Sequence, residues 1–310
     1  MPIDNRFPAL RDAIRPTTLI EPRRLGERLG VDLLLACETF QHTGSFKFRA
    51  AYNVAASVPQ SHLLTASSGN FGQALAYACR QLGKTCTVVM PNTSARVKVE
   101  AVGEFGGNVD LIDVKATSRQ QRVLELARLN PGAYVASAYD DPLVIEGNAS
   151  LGEELASLSR PPEVIVAPIG GGGLTAGLIS GIQRTGRQIP VIGAEPILAN
   201  DAARSLRAGK VIANEAEPQT IADGVRTLSV GRHNWAVLQR GLREIIEVSE
   251  DQIREAVRLL FSLAHVKSEP TGALGVAAVL AAPEHFRRGR TCCVVSGGNV
   301  DPAVFLEIVG

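Results

Sequence analysis

"APIGGGGLTAG", residues 167–177, sets four consecutive glycines, Gly170, Gly171, Gly172 and Gly173, between a β-branched apolar run and a helical pattern. Each glycine costs roughly 0.5–1 kcal/mol relative to alanine in regular structure, so four in succession need a reason. Consecutive bare N–H groups between a strand end and a helix start form an anion nest, which the helix dipole reinforces. The stretch therefore reads as a phosphate cup. No G-K-[ST] follows, which excludes a Walker nucleotide loop. Gly171, Gly173 and Ala176 also satisfy G-x-G-x-x-A, and Glu195 ends the next strand about 20 residues on. An NAD-dependent oxidoreductase is the alternative on this motif alone.

Outward from that turn, strand-like runs alternate with helical patterns. "HLLTA" (62–66), "TCTVVMP" (85–91) and "NVDLIDV" (108–114) precede it, and "EVIVAPI" (163–169) leads into it. "IPVIGAE" (189–195) and "TCCVVSG" (291–297) follow. The alternation predicts a parallel α/β architecture, and the continuous apolar character of the runs predicts strands covered on both faces. Two more glycine turns, "SSGNFG" (67–72) and "SGGN" (296–299), also follow strands. Ligands of open α/β sheets bind at the C-terminal ends of strands, so the three turns are expected to converge on one cleft.

Bulk composition narrows the function classes. The 310 residues carry a net charge of +1, with 20% charged and 45% hydrophobic residues, so neither nucleic acid nor an anionic membrane surface is expected as a partner. Apolar runs are strand-sized, far short of the roughly 20 residues of a membrane span. The N-terminus "MPIDNRFPALRDAIRP" has no apolar core, so no signal peptide is expected. Cys37, Cys79, Cys86, Cys292 and Cys293 form no C-x-x-C and are expected as buried free thiols in a reducing cytoplasm. Cys292 and Cys293, adjacent in one strand, should face opposite sides.

"TGSFKFRAA" (43–51) supplies a second chemical signal, because Lys47 stands between Phe46 and Phe48. Apolar flanks raise the cost of the ammonium and lower its pKa from about 10.4. One phosphate cup plus one activated lysine points to pyridoxal phosphate (PLP), whose chemistry needs a Schiff-base lysine, a phosphate site, a partner for the pyridine nitrogen and a carboxylate-binding group. Lys47, Gly170–Gly173, Ser296 and the "SSGNFG" turn supply one candidate each. An NAD site leaves Lys47 and the two other glycine turns unexplained.

"TGSFKFRAA", "SSGNFGQALAYA", "GGGGLTAG", "IADGVRT", "EPTGALGVAAVL" and "VVSGGNVD" occur in an order that closely resembles the serine racemase and threonine/serine dehydratase branch of the fold-type II PLP enzymes, relatives of the tryptophan synthase β-subunit. The resemblance implies two open, twisted, mostly parallel sheets flanked by helices. A smaller domain (54–137) would be inserted in a larger PLP-binding one (1–53 and 138–310). It implies that Lys47 carries PLP and takes the substrate Cα proton, while Gly170–Gly173 bind the phosphate. Phe46 would pack near the cofactor, Asn70 would bond the ring hydroxyl, Gly224 would lie against the ring, and Ser296 would pair with its nitrogen. Ser68 corresponds to the racemase's second-face acid/base, Ser67 and Asn70 would hold the substrate carboxylate, and Arg119 would assist. The regulatory C-terminal domain of the biosynthetic threonine deaminases is expected to be missing.

In "AEPILANDAAR", Glu195, Ala199 and Asp201 match the spacing of a divalent-cation site in serine racemase. Two carboxylates and a carbonyl are hard oxygen ligands suited to Mg²⁺ or Ca²⁺. The competing reading makes Asp201 a helix-start acid and Glu195 a solvated strand end. Phe71 stands where the family usually has histidine, "IEGNAS" (145–150) replaces "IAGQGT", and His42 replaces a common lysine. Tyr139, His233 and Trp235 read as packing or surface residues, and "FRRGR" as a solvated connection.

The expected activity is that of a cytoplasmic ammonia-lyase, acting as a homodimer on a small amino-acid substrate. It removes water from a threonine- or serine-type β-hydroxy amino acid to give a 2-oxo acid and ammonia. Alternatives are serine racemase, a 3-hydroxyaspartate or aryl-serine dehydratase, and a non-catalytic PLP carrier.

Overall fold

A computed structural model describes residues 6–67, 69–94 and 96–310. Ten strands among these residues form two sheets. The larger has the order β1-β2-β10-β7-β8-β9, built from β1 (Thr18–Ile20), β2 (Asp32–Cys37), β7 (Val164–Pro168), β8 (Val191–Pro196), β9 (Leu242–Val248) and β10 (Arg290–Val295). All its pairings are parallel except that of β1 with β2. The smaller is wholly parallel, with the order β5-β4-β3-β6: β3 (His62–Ala66), β4 (Thr85–Pro91), β5 (Asn108–Ile112) and β6 (Tyr134–Val135).

The six strand-like runs of the sequence are β3, β4, β5, β7, β8 and β10. Four strands were not expected. β1 and β6 are three and two residues long, too short to show a period. β2, "DLLLAC", and β9, "LREIIEV", each follow a single glycine, Gly30 and Gly241, but no glycine-rich turn follows either.

Burial follows from strands covered on both faces. Every residue of β7, β8 and β10 is buried. Cys293 packs with Val166, Ile192 and Leu274 on one side of the large sheet, whereas Cys292 packs with Ile165, Leu178 and Leu151 on the other. The adjacent thiols thus face opposite layers, and all five cysteines are buried and free. A third apolar cluster joins the smaller sheet to the helix Lys47–Ser57 through Phe48, Val54, Leu63 and Phe71. That helix begins at the candidate cofactor lysine. No helix among the described residues is long and apolar enough to cross a membrane.

Candidate active site

Lys47 starts its helix directly after a turn that is tied to the far end of the chain. Phe46 N–H donates to the Ser296 carbonyl (3.0 Å), Gly298 N–H donates to the Gly44 carbonyl (3.0 Å), and Ser45 bridges Gly297. Thr43 adopts a left-handed conformation (φ 62°), held by Asn299 Nδ2 donating to its carbonyl at 2.8 Å. The lysine therefore emerges beside the last strand rather than in a surface loop.

A cavity of about 840 Å³ lies where the glycine turns meet. Lys47, Phe46, Ser67, Asn70, Arg119, Gly170–Gly173, Gly224 and Ser296 all line it. The convergence of three glycine turns holds. Ser68 lies outside the described residues. Glu195, Ala199 and Asp201 do not line the cavity and form a separate cluster.

Lys47 Nζ donates to the Ala138 carbonyl (2.8 Å) and lies 5.1 Å from the Phe46 ring centroid and 5.8 Å from that of Phe71. Burial lowers its pKa to about 8, with Glu269 acting in the opposite direction. An amine so placed is uncharged in roughly a tenth of the molecules at pH 7, far more often than a free lysine, and that fraction can act as nucleophile or base. The flanks that carry this are Phe46 and Phe71. Phe48 points into the core beside His42 and Tyr77.

The glycine turn is shaped by packing as well as by its ligand chemistry. Gly172 has φ +90° and caps the helix Gly173–Arg184. A side chain at Gly171 would overlap the ring of Tyr139. The first N–H groups of that helix lack intrahelical acceptors, and Gly170–Leu174 line the cavity. Asn234 Nδ2 fastens the arrangement by donating to the carbonyls of Gly171 (2.6 Å) and Tyr139 (2.9 Å).

Asn70 is oriented from both sides. Its Nδ2 donates to Glu269 Oε1 (2.7 Å), and its Oδ1 accepts from Asn299 Nδ2 (2.9 Å). Ser67 Oγ accepts from the N–H groups of Gly69 (3.3 Å) and Gly72 (3.0 Å), so its hydroxyl proton is left to donate. Ser296 Oγ is buried without a hydrogen-bond partner among the described residues. Such an orphaned hydroxyl, in one cavity with a buried amine and a glycine turn, fits a pyridine ring whose nitrogen it would meet. On this test the residues present fit PLP.

Several groups in the cavity were not singled out from sequence. Glu269 sits in "EPTGALG" and is buried. Burial and then Asp223 push its carboxyl up to about 8, while Lys98, Asn70 and Lys47 work the other way. Lys98 Nζ meets Asp223 Oδ2 at 2.5 Å, and Arg119 meets Glu217 at 3.6 Å. Tyr139, read as a packing or surface residue, lines the cavity against the glycine turn. A lone acid or lysine in a motif carries no sign of a partner more than a hundred residues away, so only Glu269, inside a quoted motif, had any signal.

Glu195 is completely buried and accepts from the N–H groups of Ala202 (3.0 Å) and Ala203 (2.9 Å). Its carboxyl cannot reach a dinucleotide ribose, and the solvated-strand-end reading fails with it. Asp201 Oδ1 accepts from Asn214 (2.9 Å), whereas its Oδ2 is buried without a partner among the described residues. Burial, with Asp201 adding, drives the Glu195 pKa well above the ordinary carboxylate range. Two neighbouring buried acids, one with an orphaned oxygen, fit a hard divalent cation.

Comparison with known proteins agrees with this chemistry. The chain is 32% identical to an L-threo-3-hydroxyaspartate ammonia-lyase from Pseudomonas sp, over 92% of this chain and 90% of that protein. It is 34% identical to a serine racemase from Homo sapiens, over 94% of this chain and 88% of that protein. Its fold matches the crystal structure of a T.th. threonine deaminase with a TM-score of 0.90 and 38% identity, over 96% of both chains. The NAD alternative falls here, because residues 10–297 match the family described as pyridoxal-phosphate dependent enzyme, and the chain belongs to that family.

Proposed function

We propose that this protein is a PLP-dependent ammonia-lyase that eliminates water from a β-hydroxy amino acid of the threonine or serine type, releasing a 2-oxo acid and ammonia. The observation that carries the reading is the joint presence of Lys47, the Gly170–Gly173 turn, Ser67, Gly69 and Asn70, and the orphaned Ser296 hydroxyl in one cavity. Relatives with ammonia-lyase names support the reaction class.

Each residue has a task. Gly170–Gly173 N–H groups would hold the phosphate, Ser296 would meet the ring nitrogen, Gly224 would lie against the ring, and Asn70 would meet the ring hydroxyl. Phe46 and Phe71 keep water from Lys47 Nζ, which takes the substrate Cα proton. Ser67, Asn70 and Arg119 would hold the substrate, and Ser68 corresponds to the residue that would act as acid/base on the second face in the racemase reading. PLP, when bound, supplies the electron sink for Cα deprotonation, a weaker one opposite the neutral Ser296 than opposite a carboxylate.

A weak sink favours prompt loss of the β-hydroxyl over reprotonation from the opposite face. Elimination is therefore expected to outrun racemisation. The test measures 2-oxo acid and inverted amino acid together from serine, threonine, 3-hydroxyaspartate and an aryl-serine in both stereochemistries. More D-product than 2-oxo acid from L-serine at early times would assign the chain to the racemases, the second reading, which its serine racemase relatives support.

The same reading proposes Mg²⁺ or Ca²⁺ at Glu195, the Ala199 carbonyl and Asp201, supported by the orphaned Asp201 oxygen. It also proposes a small domain at 54–137 within a large one, supported by the confinement of β3–β6 to residues 62–135. A cytoplasmic homodimer rests on the family resemblance, and sedimentation velocity tests the dimer.

A further inference from the structure

Lys98 lies on the helix Arg96–Glu104, on the side of the smaller sheet, yet it lines the cavity. Its Nζ is 3.8 Å from the point where a side chain on Gly69 would begin, and among the described residues beyond the glycine's own neighbours only Lys98 lies within 4 Å of that point. The space above the Ser67–Asn70 turn is thus open, and its far wall is a cation. Across the cavity Lys98 meets Asp223, a residue of the segment that also supplies Gly224. The lysine side chain is 13% exposed and its partner 40%. Asp223, the more exposed partner, can be rehydrated on release, so another carboxylate can take its place beside the largely buried ammonium.

We propose that Lys98 recognises the α-carboxylate of the amino-acid substrate, exchanging its bond to Asp223 for one to the substrate above Gly69. This rests on the reading of the cavity as an amino-acid site. The Ser67 hydroxyl, whose proton is left to donate, faces the carboxylate from one side, and the ammonium closes the other with a charge-assisted hydrogen bond. Asp223 holds Lys98 in place while the site is empty. Gly69 is required there because a side chain would occupy the carboxylate's space.

L-Alanine has an α-carboxylate and no leaving group, and L-alaninamide lacks the carboxylate. Their binding to the PLP-loaded holoenzyme is followed through the absorption of the bound cofactor, so no turnover is needed. Lys98→Met is expected to raise the Kd of L-alanine about tenfold, as for loss of one charge-assisted contact, and that of L-alaninamide less than about twofold. Lys98→Arg should keep most of the L-alanine affinity. Asp223→Asn, which removes the competitor, should tighten L-alanine binding, and it tests the exchange even if Lys98→Met fails to fold. Equal shifts for the two ligands in Lys98→Met, no shift in either, or weaker L-alanine binding in Asp223→Asn would overturn the proposal. Such a failure leaves the elimination reading intact. Conversely, absence of 2-oxo acid from every β-hydroxy amino acid, with Lys98-dependent alanine binding, overturns elimination alone.

Discussion

Lys47 shows how a single side chain acquires a chemical role. The sequence places it between two phenylalanines, but only Phe46 faces it in the fold, and Phe71, from the next helix, supplies the second apolar wall. Burial holds its pKa at about 8, so the ammonium dominates below that value and the free amine above it. The rate at which PLP loads onto the apoprotein should therefore rise about tenfold per pH unit up to roughly pH 8 and then level off. A plateau reached only near the free-lysine value of about 10.4 would show that burial does not tune the amine. Lys47→Ala should abolish the cofactor's imine absorption band while far-ultraviolet circular dichroism stays unchanged. A persisting band would move the cofactor to another lysine.

The elements that carry the site are held by contacts whose partners are far apart in sequence. Arg49, two residues after Lys47, is fully buried. Its Nε donates to Glu38 (2.7 Å), its Nη1 to Glu154 (2.7 Å) and Ser150 (3.0 Å), and its Nη2 to Thr17 (2.8 Å). One guanidinium thus joins the helices Lys47–Ser57 and Pro142–Ala156 to the turn after β2. Arg49→Met would leave Glu38 buried without its counter-charge, at a cost of about 3–5 kcal/mol. The urea midpoint should fall accordingly, and adding Glu38→Gln should recover part of the loss. Additive losses in that double variant would argue against a coupled network. The glycine turn behaves as an element too. Gly171→Ala must displace Tyr139, so a loss of about 1–3 kcal/mol with weaker PLP retention is expected by thermal unfolding and cofactor titration.

At the scale of the molecule, the cavity is walled by both sheets' helices, and the ion pairs Lys98–Asp223 and Arg119–Glu217 span it. The Glu195 and Asp201 cluster lies apart from it, at the end of β8 and the start of the helix Asp201–Ala208. A cation bound only in the folded state at 100 times its Kd adds about 2.7 kcal/mol. Chelation of metal-loaded protein should lower its Tm by about 4 °C, and Asp201→Asn should remove the sensitivity. Identical melting curves with and without chelator would refute a structural cation at this site.

The sequence alone determined what short-range chemistry encodes. The parallel α/β class follows from apolar runs alternating with helical periods. The proposal of a phosphate cup rests on four adjacent glycines, and pairing that turn with Lys47 pointed to the cofactor that the chain's family uses. Each of these signals is contained within a short stretch, where spacing and residue type are enough. The tertiary structure decided everything that depends on separation across the chain. It put Phe71 rather than Phe48 against Lys47, tied Asn70 between Glu269 and Asn299, and set Tyr139 under Gly171. It buried Glu195 and brought Lys98 over Gly69. Each is a contact between elements, fixed by how the sheets and helices pack, and a linear sequence carries no local trace of a partner that only folding brings near.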